Sequence, residues 1–176
     1  MDVQSLLVLL AELGVGIAGF AAVAVAVASQ SSGAHSRLQV AQVNTMMFGS
    51  LGVVFYALIP MLIALAVPES PAVWKVPSFL YMLSHIIFLV GLLKRIPAWR
   101  RFPGYDIRYT WFAVCALLVS VGLNFYNVVF LGTGWPFVAS LACGLAIPSS
   151  RFVQIVESLW NVEDEPSANV DGETVE

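Results

Sequence analysis

Apolar residues in this chain run in long unbroken blocks, without the short helical or alternating spacing of a soluble domain. A bilayer core of about 30 Å is crossed by roughly 20 apolar residues at about 1.5 Å per residue. Five blocks reach or approach that length, at about 6–28, 44–67, 76–93, 109–131 and 136–158. The pattern therefore predicts an all-α protein, a polytopic transmembrane helix bundle of five spans, with four spans as the alternative. The second helix has room to begin as early as Arg37. The third block is short, but Lys75 at one end and Lys94 and Arg95 at the other have stems long enough to snorkel to an interface. The fifth is the weakest. It opens at Pro136, carries Pro148 in its middle and continues through Arg151, Gln154 and Glu157. It spans only if the helix continues past a kink at Pro148 and those polar residues emerge at the far interface.

Charge placement favours the fifth span. Cytoplasmic flanks collect Lys and Arg. With five spans, Arg37, Lys94, Arg95, Arg100, Arg101, Arg108 and Arg151 share one side, and only Lys75 lies opposite. With four, Arg151 joins Lys75. The expected orientation is N-terminus outside and C-terminus cytoplasmic. Trp74 and Trp135 fall at the outer edges and Trp99 and Trp111 at the inner ones, as in interfacial aromatic belts. The basic loop Lys94–Arg108 (Lys94, Arg95, Arg100, Arg101, Arg108, with Trp99, Phe102 and Tyr105) reads first as the topology determinant. Contact with anionic lipid headgroups is the sharper alternative. Six of the eleven acids lie between Glu163 and Glu176, so the net charge of −3 is set by a tail, 161–176, expected to be disordered.

Composition agrees, with 59% hydrophobic and 11% charged residues. It offers no basic footprint for nucleic acid. Ala26-Val27-Ala28 resembles a signal-peptidase site, but the start Met1-Asp2-Val3-Gln4-Ser5 lacks a positive region, so the first block is expected to stay as a span. Cys115 and Cys143 lie inside apolar blocks without metal or redox spacing, and no cofactor is expected.

Few residues carry candidate chemistry. Gly14, Ala18, Ala22 and Ala26 recur every four positions and suggest a smooth packing face, either within the bundle or between copies of the chain. Glu12 is the only acid well inside a span and His85 the only histidine in one. Counted inward from the outer interface, both lie roughly 10–13 Å deep. Asn124 falls at a similar depth, with Asn127 one turn nearer the surface. These four are the expected polar cluster, serving either to fix helix register or as a proton-coupled or small-solute site. A b-type haem would need His85 with Met61 as the second ligand. The run Gly14-Val15-Gly16-Ile17-Ala18-Gly19 matches a dinucleotide fingerprint in spacing, but it sits mid-span without a preceding strand. No nucleophile triad or phosphate loop occurs in a suitable context. The expected role is a non-enzymatic membrane module or subunit, acting through its helices and loops on lipid, on a partner membrane protein or on another copy. A small transporter is the alternative.

The run Leu10-Ala11-Glu12 through Gly19-Phe20-Ala21 resembles the first helix of a group of uncharacterised bacterial inner-membrane proteins with an acidic residue followed by an I-A-G-F-like motif. Tyr56-Ala57-Leu58-Ile59-Pro60, Val73-Trp74-Lys75-Val76-Pro77-Ser78 and Arg151-Phe152-Val153 extend the similarity, with Lys75 where arginine would be expected. The resemblance implies a bacterial plasma-membrane protein and a helical bundle. It implies no activity.

Overall fold

A computed structural model describes the backbone of residues 2–30, 37–101 and 106–160, and their side chains except those of 24–30, 37–41, 155 and 157–160. His35, Phe102, Tyr105 and the acidic tail 161–176 lie outside the described residues. The chain forms α1 (Val3–Gln30), α2 (Arg37–Ala66), α3 (Ala72–Trp99), α4 (Ile107–Tyr126) and α5 (Gly134–Trp160). All five are long and apolar enough to cross a membrane. This is a multi-pass integral membrane protein.

Helix is the form these segments must take in lipid, because it satisfies every backbone polar group within the segment. The helices outrun the apolar blocks at most ends. The second does begin at Arg37, and the third extends from the expected 76–93 to Ala72–Trp99, with Pro77 and Pro97 inside it. α4 ends in a single π-helical turn, Asn127–Leu131, closed by the Gly132 N–H donating to the Asn127 carbonyl at 2.8 Å. Gly132 adopts φ +65°, a left-handed conformation that glycine takes without a Cβ penalty.

The fifth helix, the doubtful one by sequence, is the centre of the bundle. It packs against α1, α2, α3 and α4. Arg151 and Gln154, expected at the far interface, stand in the last turn of the spanning stretch Gly134–Gln154. They are buried, 6% and 8% exposed, with Arg151 Nη1 donating to Gln154 Oε1 at 2.9 Å. Polar residues lower the hydropathy of a central helix without facing lipid, so a span can look weak because it is interior.

Lipid tails are as apolar as the side chains, so contact between these helices rests on close packing and polar links. One apolar cluster joins Leu7 and Leu10 of α1 and Val53 of α2 to Tyr81 of α3 and Phe137 and Leu141 of α5. A second joins Leu92, Val114, Leu117 and Ile147 near the opposite end. Small residues set the closest approaches. A Cβ at Gly14 would lie 2.9 Å from the Ser50 carbonyl oxygen, and Gly49 sits over the ring of Pro148. Of the expected stripe, Gly14 is buried, Ala18 half-buried and Ala22 exposed, and the Ala26 side chain is outside the description. The buried face of α1 instead follows Leu7, Leu10, Gly14 and Ala21. Steps of four residues drift about 40° per step around a 3.6-residue helix, so a strict four-residue stripe leaves the contact.

Candidate functional site

The cavity beneath α2 and α3 starts from a local geometry. Tyr81 and His85 are one turn apart on α3 and share a face. The His85 Nδ1–H donates to the Tyr81 carbonyl at 3.0 Å, and the two rings meet edge to face at 4.0 Å. A carbonyl only accepts, so Nδ1 carries the proton of this bond and Nε2 is left on the side of Gly144. Any side chain at 144 would collide with the Tyr81 hydroxyl, so glycine on α5 is what lets the tyrosine lie flat across the interior. The ring of Tyr56 on α2 meets Tyr81 at a tilt of 57°, with centroids 4.7 Å apart, and completes the aromatic end.

From there a cavity of about 520 Å³ runs between α2 and α3, floored by Gly144, Ile147 and Pro148 of α5. Its other end holds Asn44, Thr45, Arg95 and Trp99. A second cavity of about 280 Å³ shares Thr45, Phe88, Arg95 and Trp99 with it and adds Gln42 and Arg151. Together they form a groove that is aromatic at one end and cationic at the other, and no acidic residue among the described ones lines it. α2 and α5 pack closely, while α3 meets α5 where Tyr81 lies against Phe137 and Gly144.

The four expected cluster residues do not meet as one site. Asn124 Nδ2 donates to the Ser120 carbonyl and to Ser140 Oγ, both at 2.8 Å, which ties α4 to α5. Its Oδ1 is buried without a partner. Asn127 Nδ2 donates to Ser78 Oγ at 2.8 Å, and its Oδ1 accepts from the Thr133 N–H at 2.9 Å, which ties α3, the end of α4 and the turn into α5. His85 lines the groove. Glu12 is exposed, in an open depression between α1 and α2 beside Leu58 and Met61. It has no hydrogen bond or ion pair with another described residue. Equal depth placed these residues at one level, but α1 packs on α2 and α5 and turns Glu12 outward. Met61 lies beside Glu12, on the other side of α2 from His85, so the pair needed for haem does not form.

The basic loop divides as well. Lys94, Arg95, Arg100 and Arg101 are all exposed. Arg108 chelates Asp106, with Nη2–Oδ2 at 2.7 Å and Nε–Oδ2 at 2.9 Å, while Asp106 Oδ1 caps α4 by accepting from the Arg108 N–H at 2.8 Å. These bonds from the Arg108 side chain and backbone hold the Asp106 carboxyl below the usual carboxylate range. Only Arg95 of the five reaches the groove. Sequence reasoning passed over Tyr81, Tyr56, Ser78 and Ser140. The signal for the serines was their place inside apolar spans, and for Tyr81 its spacing of four from His85.

No family model, characterised protein or solved structure matches the chain, so the chemistry rests on its own residues.

Proposed function

We propose that this chain is a non-enzymatic subunit of a larger membrane assembly, held to a different membrane protein through the outward face of α1. The observation that carries this is Glu12, an exposed carboxyl roughly midway along the spanning stretch Val3–Val23. An ionised side chain facing hydrocarbon at that depth costs about 2.5–3.5 kcal/mol on the insertion scale, a cost a covering helix with a hydrogen-bond donor removes. Val8, Gly16, Gly19 and Val23 continue the same exposed face, and a Cβ at Gly16 or Gly19 would meet nothing within 4 Å. Neither glycine packs against another described residue, and both permit close approach by another helix. Among the described residues, the same face of a second copy would offer another carboxyl and, as donors, only Ser5 and Gln4 near its end, which favours a different protein. An outward Glu12 also supports an interaction role over a proton-carrying one in the bundle interior. The seven-to-one division of basic residues supports an N-terminus outside and a C-terminus in the cytoplasm. The resemblance of the first helix supports a bacterial plasma membrane.

A photo-crosslinker placed at Gly16 in native membranes tests the reading. The expected result is one discrete heteromeric product, retained by Glu12→Gln and lost in Glu12→Leu. The purified Glu12→Leu chain, freed of the exposed carboxyl, should be at least as stable as the parent. Crosslinks to lipid alone, a product of twice the chain mass, or a product indifferent to Glu12→Leu would overturn the proposal.

A further inference from the structure

The groove between α2 and α3 is a built site that the partner face of α1 does not use. Three observations define its occupant. Its charge is one-sided: Arg95 stands at one end, Arg151 is fixed beside it by the bond to Gln154, and no acid among the described residues lines either cavity. Its length suits a chain, because Arg95 and His85 are ten residues apart on α3, about 15 Å along the axis. Its walls between those ends are apolar or lack side chains, formed by Phe48, Gly49, Gly52 and Phe88. Trp99 at the cationic end has the amphipathic ring typical of an interface.

We infer that this groove holds one acyl chain of an anionic phospholipid, with the phosphate at Arg95 and the chain running along Gly49 and Gly52 toward Tyr56 and Tyr81. Arg95 then differs in kind from Lys94, Arg100 and Arg101, which meet headgroups only as part of a diffuse surface charge. A zwitterionic lipid fits the walls equally well but brings a cationic group against two arginines. Inorganic phosphate satisfies the arginines but leaves the apolar length unfilled.

Native mass spectrometry of the purified full chain, equilibrated with phosphatidylglycerol or phosphatidylcholine at equal concentration, reads the site directly. One phosphatidylglycerol is expected to be retained in preference to phosphatidylcholine. Arg95→Ala should cut retention about fivefold, and the paired change Arg100→Ala with Arg101→Ala should leave it within about twofold. Gly52→Leu is the decisive variant. A Cβ there meets nothing within 4 Å, so the fold should tolerate it, while the added side chain fills the groove and leaves every charge in place. It should abolish retention. Equal retention of the two lipids, full retention by Gly52→Leu, or displacement by millimolar inorganic phosphate would overturn the inference.

Discussion

In an apolar 18-residue stretch of α5, 56% of residues are buried inside the bundle, and in the corresponding stretch of α1, 22% are. The two helices also carry their polar groups in opposite ways. α5 holds Ser140, Arg151 and Gln154 toward its neighbours, where each has a partner within the chain. α1 holds Glu12 toward the outside, on a face with Gly16 and Gly19, where an added Cβ would meet none of the described residues within 4 Å. Polarity on α5 serves the chain's own packing. On α1 the same chemistry is left for something else. The difference is one of rotation about the helix axis, and it decides which residues are architecture and which are available for contact.

Glycine substitutions separate the two helices with the largest expected effect. Gly144→Val drives a side chain into the Tyr81 hydroxyl, and the tyrosine cannot move without breaking its contacts with Tyr56, His85 and Phe137. A destabilisation of about 3 kcal/mol is expected, the upper part of the range for overpacking a well-filled interior. Gly16→Val on α1 should change the stability of the isolated chain by less than about 0.5 kcal/mol. Reversible unfolding in mixed detergent micelles, following helicity, measures both. Equal costs would break the contrast between an interior α5 and an available α1.

The asparagines sharpen it within the interior. Asn127 uses both ends of its amide, so Asn127→Ala strands the Ser78 hydroxyl and the Thr133 N–H. Asn124 uses one end, and Ser140 Oγ still donates to the Phe137 carbonyl after the amide is gone. The expected losses are about 2 kcal/mol for Asn127→Ala and about 0.6 kcal/mol for Asn124→Ala, in line with the modest worth of interhelical bonds in membranes. The same unfolding measurement orders them, and a larger loss at Asn124 would mean that its buried Oδ1 is satisfied after all.

The number and class of helices were legible in the sequence because length and hydropathy are local properties, and a run of 20 apolar residues has few other uses. The fifth helix was hard to read for a physical reason. Arg151 and Gln154 lower hydropathy whether they face water or protein, and only packing tells which. Position along each helix axis was legible too, since it follows from residue count. Azimuth was not, and the expected cluster failed on it. Glu12 and His85 could be matched in depth, but whether α1 turns position 12 inward depends on Leu7, Leu10 and Gly14 finding α2 and α5. The separation of Arg95 from its four basic neighbours is likewise a matter of which face of α3 borders the groove.

The smallest effect is expected at the rim, where polar pairs meet water and should behave unlike those of α5. Asp106 binds Arg108 through side chain and backbone, and the pair is open to solvent, with the Arg108 side chain 87% exposed. Its carboxyl titrates lower in the folded chain than when unfolded, so the stability it lends is fully present above the ordinary carboxylate value near 4 and is lost as pH falls through the lower folded value. Amide exchange at Arg108 should therefore quicken, relative to intrinsic rates, as pH falls below about 4, and Asp106→Ala should show that quickened exchange at neutral pH. The Arg151–Gln154 pair has no carboxyl to protonate, and exchange along α5 should stay unchanged over the same fall in pH. Loss of protection in α5 at the same pH as at Arg108 would mean that the cap and the central helix open together, and that the rim is mechanically part of the interior.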